Sequence, residues 1–283
     1  MQQKVLVTGA TGFVGNYVVK ELLNKGFIVI ATSSSEEKAK TAKWFNDVTY
    51  IPFNFNEFDN SINYFNFFQQ PDLLIHLAWE GLPNYKDDFH VTKNLPLQKA
   101  FLQNLLQNGL KDLTVTGTCF EYGMKEECLT ETMDCEPANP YGIAKNELRI
   151  ELEKLASVYW CSFKWVRLFY MFGKGQSPKS LISQLDKAIE QGDTEFNMSG
   201  GKQVRDFLPV KSVAQYIVSI ATQTQVIGII NCCSGKPVTV KEFVLEYLSE
   251  KHSCIHLNLG YYPYADYEAM CFWGDNKKLK TIK

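Results

Sequence analysis

A glycine turn between an apolar run and a helix-patterned segment, all within the first 24 residues, constrains this chain more than any other feature. Lys4-Val5-Leu6-Val7-Thr8 is a short apolar run, and Gly9, Gly12 and Gly15 follow at three-residue spacing. Asn16 to Asn24 then carries Tyr17, Val18, Leu22 and Leu23 at helical intervals. The pattern predicts strand, turn, helix. Glycines at such a turn let the backbone approach a pyrophosphate closely and leave N–H donors free at a helix N-terminus. The spacing is G-x-x-G-x-x-G and not the G-x-G-x-x-G dinucleotide fingerprint, so its place between strand and helix is what points to nucleotide binding.

The rest of the chain alternates in the same way. Gly26 to Ala31 reads as the second strand, and Val48 to Ile51 and Asp72 to Ala78 as the next two. A helix is expected over Val91 to Asn108, stopped by Gly109, then strands over Leu113 to Thr116 and Phe163 to Leu168, and a strand over Gly228 to Asn231. Later helices are expected over Lys179 to Gln191, Val213 to Thr222 and Lys241 to Lys251. This alternation predicts an α/β fold with a doubly wound parallel sheet. A Rossmann domain is expected over residues 1–172, joined by about 207–235, with a smaller α/β substrate-binding lobe formed by 173–206 and 236–283. At 283 residues and 45% hydrophobic, the chain can bury a core of that size.

Charge narrows the partners. The net charge is −2, the only arginines are Arg149, Arg167 and Arg205, and there is no basic run, which argues against nucleic acid. No apolar stretch reaches membrane-spanning length and no leader pattern follows Met1, so a cytoplasmic protein without membrane association is expected. The eight cysteines form no C-x-x-C pair and read as reduced thiols. His252-x-Cys254-x-His256 reads as strand residues sharing a face, so no metal is expected. His76, alone in an apolar strand, reads as a hydrogen-bonded core residue.

The chemistry concentrates in residues 116–145. Thr116-Gly117-Thr118 would deliver a hydroxyl at a strand end. Asn139-Pro140-Tyr141 opens a helix, with Asn139 as cap and Pro140 at its first position. Tyr141 and Lys145 then share one helix face at i and i+4. A nearby ammonium favours an ionised phenol, so the Tyr141 pKa is expected to fall. Tyr-x-x-x-Lys also occurs at Tyr170/Lys174 and Tyr247/Lys251, so context singles out the first pair. The second strand ends in Thr32-Ser33-Ser34-Ser35 and not in an acid that would grip a ribose 2′-hydroxyl. With Lys38 and Lys40 close behind, NADP(H) is favoured over NAD(H).

Together these pieces resemble the extended short-chain dehydrogenases/reductases, a family of NAD(P)-dependent nucleotide-sugar epimerases, dehydratases and reductases. The matching residues are Thr8 to Gly15, His76-Leu77-Ala78, Asn94, Thr118 with Tyr122-Gly123, Tyr141 with Lys145, Arg167-Leu168-Phe169 and Arg205-Asp206-Phe207. The resemblance implies that Thr118 bonds the reacting sugar oxygen, Tyr141 exchanges its proton, and Lys145 holds the nicotinamide ribose. It implies a cofactor site from Gly9, Thr11, Gly12, Phe13, Val14 and Gly15, with Thr32, Ser33, Ser34 and Lys38 at the adenosine ribose. Asn54 and Phe55 would lie at the adenine, Leu77, Ala78 and Trp79 along the fourth strand, and Asn94, Thr116 and Phe169 near the nicotinamide. A nucleotide-sugar substrate would meet Glu80, Cys119, Phe120, Tyr170 and Gln176, with Arg205 on its diphosphate.

The departures are informative. Cys119 and Phe120 stand where dehydratases of the family carry an Asp-Glu pair, and Phe120 stands where the GDP-fucose synthase type carries a Cys. What remains is a redox step at sugar C4, as in the small reductases of nucleotide-linked 4-keto-6-deoxyhexoses that feed surface-glycan biosynthesis. Two rivals stay open: a 4-epimerase that retains NAD, and an inactive nucleotide-binding regulator of the same fold. The resemblance also implies a homodimer through the Tyr141 helix and the helix before it.

Overall fold

The computed structural model describes residues 2–282. Seven strands form its central sheet: β1 Lys4–Thr8, β2 Ile28–Thr32, β3 Thr49–Tyr50, β4 Leu73–His76, β5 Asp112–Thr118, β6 Ser162–Leu168 and β7 Gly228–Cys232. Their order is β7-β6-β5-β4-β1-β2-β3 and every pairing is parallel. Continuous apolar runs such as Val5-Leu6-Val7, all fully buried, suit a sheet covered on both faces. One face packs against Val18 and Leu22 of the Phe13–Asn24 helix and Ile217 and Ala221 of the Val210–Thr222 helix. The other packs against Phe101 and Leu105 of the Leu95–Gln107 helix and Leu148 and Leu152 of the Pro140–Tyr159 helix. Each such side chain taken fully from water contributes about 1.5–3 kcal/mol before the entropy of ordering it. This is the doubly wound sheet that the sequence predicts.

A separate apolar cluster joins Ile182, Leu185 and Ala188 of the Leu181–Gln191 helix to Phe243, Val244 and Leu248 of the Val240–Glu250 helix. Phe207 stacks on Phe243 with ring centroids 3.9 Å apart. Asp206, beside it in sequence, is buried, and its carboxylate accepts the backbone N–H groups of Ser234 (2.7 Å), Gly235 (2.8 Å) and Gly274 (3.4 Å). One side chain thus ties together three distant stretches of chain.

The differences from the sequence reading are local. The expected helix over 91–108 begins with a π turn, His90–Asn94, and becomes α-helical only at Leu95. The aromatic run from Phe53 to Phe68, with no clear periodicity, supplies core: Phe53, Tyr64 and Phe68 are buried around Phe101. His76 is fully buried, its Nδ1 2.9 Å from the Thr8 hydroxyl, and burial holds its pKa down to about 3. It is a neutral core residue, as its apolar neighbours suggest. No helix among the described residues is long and apolar enough to cross a membrane.

Candidate active site

Parallel strands deliver all their C-terminal ends to one edge of the sheet, which is where α/β folds bind ligands. At the end of β1, Gly9 has φ +68°, and a Cβ there would lie 2.9 Å from the Ala78 backbone nitrogen. A Cβ on Gly15 would overlap the Gly9 carbonyl oxygen. Gly12 caps the Phe13–Asn24 helix without a side-chain bond and no acid occupies the first turn, so no protein carboxylate meets the N–H donors around Phe13 and Val14. Thr11 is nearly buried, and its carbonyl and that of Gly12 are held by the Asn16 amide. The turn is a backbone cradle for an anion, and the residues present fit a dinucleotide diphosphate. Leu77, Ala78 and Trp79 leave β4 directly beside it.

The end of β2 is more occupied than the sequence suggests. The Thr32 hydroxyl is buried without a partner, whereas the Ser33 hydroxyl lies 3.0 Å from the Tyr50 phenol. Ser34 and Lys38 are exposed, and Lys40 pairs with Glu36 at 2.9 Å. Glu36 and Glu37 open the short Glu36–Lys40 helix, so carboxylates accompany the lysines here. Asn54 spends its side chain on its own turn, bonding Asn56 and Glu57, and Phe55 packs against Phe101 and His76.

At the end of β5 the chain brings the expected trio together. Thr118 caps the turn Cys119–Tyr122, its hydroxyl accepting Phe120 N–H at 3.3 Å, while the Glu121 carboxylate accepts Thr118 N–H at 2.8 Å. Asn139 caps the Pro140–Tyr159 helix through Gly142 N–H at 2.9 Å, which directs Tyr141 and Lys145 inward; both are buried. The Lys145 ammonium donates to the Thr116 carbonyl at 2.9 Å and sits 4.0 Å from the centre of the Trp79 ring. Burial pushes the Lys145 pKa down to about 7, opposed by the charge of Glu121.

The expected fall in the Tyr141 pKa is not found. Burial drives the phenol well above its usual range, reinforced by Tyr85, Glu121 and Cys119, and the Thr118 hydroxyl offsets only part of the rise. Desolvation of the phenolate dominates, and the only group that lowers the value is the Thr118 hydroxyl, not Lys145. Cys119 is raised to about 12 by burial and is a neutral thiol, and Phe120 is apolar, so neither serves as an acid or base.

The remaining candidates are more dispersed. Asn94 donates to the Glu80 carbonyl at 3.1 Å, and the Glu80 side chain turns to Lys93 at 3.6 Å. Phe169 is buried beside Gly274. Gln176 donates to the Met171 carbonyl, and its buried carbonyl oxygen has no partner. Arg205 is buried and already engaged: Nη1 donates to the carbonyls of Val204 and Met270, and Nη2 to Glu268 at 3.0 Å. Tyr170 donates to the same Glu268 oxygen at 2.7 Å.

Several residues that sequence reasoning passed over surround Tyr141. The rings of His90 and Tyr85 lie 5.3 and 5.5 Å from it, centre to centre, and Tyr85 also packs on Phe120 and Tyr267. His90 Nδ1 accepts from Trp79 Nε1 and its Nε2 faces the Asn84 carbonyl, which fixes a neutral ring. A hollow of about 270 Å³ opens beside Tyr85 between residues 83–87 and Tyr267. It is bridged by an exposed pair, Lys86 with Asp266 at 2.6 Å. No local spacing singles these residues out: Tyr85 and Tyr267 come from stretches with no repeating pattern, and His90 from the π turn His90–Asn94.

Comparison with known proteins agrees with this geometry. A dTDP-6-deoxy-L-talose 4-dehydrogenase (NAD(+)) from Aggregatibacter actinomycetemcomitans is 31% identical over 95% of this chain and 98% of its own length. A GDP-6-deoxy-D-talose 4-dehydrogenase from the same organism is 24% identical over 82% of this chain and 74% of its own. Among solved structures, a UDP-glucuronic acid 4-epimerase from Bacillus cereus shares the fold, with a TM-score of 0.83 at 22% identity over 99% of this chain and 92% of that one. The pattern of the NAD dependent epimerase/dehydratase family matches residues 5–233, a span that includes the cradle at Gly9 to Gly15 and the Thr118, Tyr141 and Lys145 cluster. The chain belongs to that family.

Proposed function

We propose that this protein is a nicotinamide-dependent oxidoreductase acting at C4 of a nucleotide-activated 6-deoxyhexose, a 4-keto reductase that also runs as a 4-dehydrogenase. The observation that carries the reading is the convergence of Thr118, Tyr141 and Lys145 on one buried point at the sheet edge that also holds the glycine cradle. A nicotinamide supplies hydride transfer. Thr118 and Tyr141 orient the sugar C4 oxygen, Tyr141 gives or takes its proton, and Lys145 holds the ribose. The high intrinsic pKa of the buried phenol suits donation to an alkoxide, a stronger base still.

Elimination of water lacks the Asp-Glu pair that would follow Thr118, since Cys119 and Phe120 take those places. Glu121, the nearest carboxylate in sequence, is fully buried and committed to Thr118, Trp165 and Arg167. The cluster around Leu185 and Phe243 is taken as the core of the substrate lobe, residues 173–206 and 236–283. For the cofactor we infer NAD(H). The NADP(H) expectation rested on free hydroxyls and lysines after β2, but Ser33 is engaged with Tyr50 and Lys40 with Glu36, and the 31% identical relative is named as NAD(+)-dependent. Lys38, without a carboxylate partner among the described residues, pulls toward a 2′-phosphate, as do the unpartnered Thr32 hydroxyl and the exposed Ser34.

The decisive experiment combines turnover with cofactor binding. Tyr141→Phe is expected to lower turnover of a 4-keto-6-deoxyhexose nucleotide about 100-fold or more, the range of a general acid, while NADH binding stays nearly unchanged. Undiminished turnover would refute the assignment. Purified protein that carries stoichiometric NAD and interconverts C4 epimers without added cofactor would replace it with a 4-epimerase. A Michaelis constant lower for NADPH than for NADH would overturn the cofactor inference.

A further inference from the structure

Glu268 lies against Tyr170 and Arg205, two residues expected at the substrate, without an assigned part. Tyr267, immediately before it, packs against Phe120 and Tyr85, and both of those rings pack against Tyr141. Glu268 thus follows directly on a member of the aromatic cluster that packs around Tyr141. Its Oε2 accepts from the Tyr170 phenol at 2.7 Å and from Arg205 at 3.0 Å, which fixes the carboxylate in place. Its Oε1 meets no donor among the described residues and is not sealed from solvent. The side chain keeps 16% of its surface exposed while Arg205 keeps 3%. The negative end of this ion pair is therefore the more exposed one and the positive end is turned inward, with both its Nη2 and Nη1 groups engaged. The field of the carboxylate also reaches Cys119 and Tyr85, helping burial to raise both.

A carboxylate with one oxygen anchored and one open is a strong, oriented acceptor for a hydroxyl and a poor neighbour for a second carboxylate. We propose that Glu268 is a specificity-determining residue, whose open oxygen accepts a hydroxyl of the sugar and whose charge selects neutral hexosyl nucleotides over uronates. The proposal rests on the nucleotide-sugar reading above and names the class of sugar that the cleft takes. It also assigns Arg205 a role through Glu268, as the group that holds the acceptor in position.

The test is calorimetric titration of the full chain, saturated with NADH, with dTDP-glucose and with dTDP-glucuronate. The wild type is expected to bind the neutral nucleotide sugar at least tenfold more tightly, and Glu268→Gln is expected to shrink that ratio below threefold. Tyr170→Phe, which removes a donor to Glu268 but keeps its charge, is expected to preserve the preference. Equal binding of the two by the wild type, or an unchanged ratio in Glu268→Gln, overturns the proposal alone. If neither nucleotide sugar binds, the substrate reading beneath it falls as well. The wild-type ratio suffices to refute the idea even if the Gln variant does not fold.

Discussion

Removing the charge of Glu121 should be among the costliest single changes in this protein. Its carboxylate and the Arg167 guanidinium are both fully buried, with Nε 2.7 Å from Oε2. Trp165 Nε1 donates to both oxygens, at 2.9 and 3.0 Å, and Thr118 N–H donates to Oε1. Gly117 makes this approach possible, because a Cβ there would collide with both the Trp165 ring and the carboxylate. In Glu121→Gln one acceptor oxygen becomes an NH₂ that must face Trp165, Arg167 or Thr118 N–H, all of them donors. Arg167, whose Nη1 already lacks a partner, is left as an uncompensated buried cation. Breaking a buried pair in this way costs about 3–5 kcal/mol, which in a chain of this size corresponds to a fall in Tm of roughly 5–8 °C. Thermal unfolding followed by circular dichroism measures it. The double variant Glu121→Gln/Arg167→Met, which removes both charges, should recover part of the loss. Lys277→Ala, which breaks an ion pair whose lysine is 90% exposed, should leave Tm where it is. A fall below 2 °C for Glu121→Gln, or a double variant as unstable as the sum of its parts, would refute the reasoning.

Two further outcomes follow from the cofactor edge of the sheet. Gly15→Ala should weaken NADH binding more than tenfold, read by nucleotide fluorescence, because the added Cβ meets the backbone oxygens of Gly9 and Ala10 and the turn must open; affinity within twofold of the wild type would contradict the cradle. Burial holds Lys145 near a pKa of about 7, so the ammonium discharges as pH rises through that value. Then kcat/KM, which reports the free enzyme, should decline toward tenfold per unit on the alkaline side, whereas a profile flat from pH 6 to 9 would exclude that protonation step.

What could be read in advance was whatever local spacing encodes. Val5 to Val7 are apolar in succession because both faces of β1 are covered, and Gly9, Gly12 and Gly15 sit where only a missing Cβ allows the close turn. Tyr141 and Lys145 share a helix face by arithmetic. The electrostatics could not be read in this way: the acidity of Tyr141 depends on how completely it is desolvated, and four aromatic rings, three from residues 79–90 and one from the turn Cys119–Tyr122, crowd around it. Arg205 illustrates the same limit. The resemblance implied a diphosphate contact, but not that Nη1 would donate to Val204 and Met270 and Nη2 to Glu268, since two of these partners lie about 65 positions away in the chain. The pair at Tyr247 and Lys251, identical in spacing to Tyr141 and Lys145, lies partly exposed around Asp186 and far in sequence from the cradle.

The Asp206 carboxylate has a mechanical consequence. By accepting N–H groups from Ser234, Gly235 and Gly274, it rivets the segment that carries Arg205 to the loop after β7 and to the C-terminal Trp273–Gly274 strand. A joint with three bonds to one buried anion resists hinging, so the segment that carries Arg205 travels with the sheet. Loop 81–88 and segment 261–270 instead touch through the exposed Lys86 and Asp266. Parting those two segments costs one solvent-screened ion pair, whereas shifting the Asp206 joint costs all three of its bonds at once.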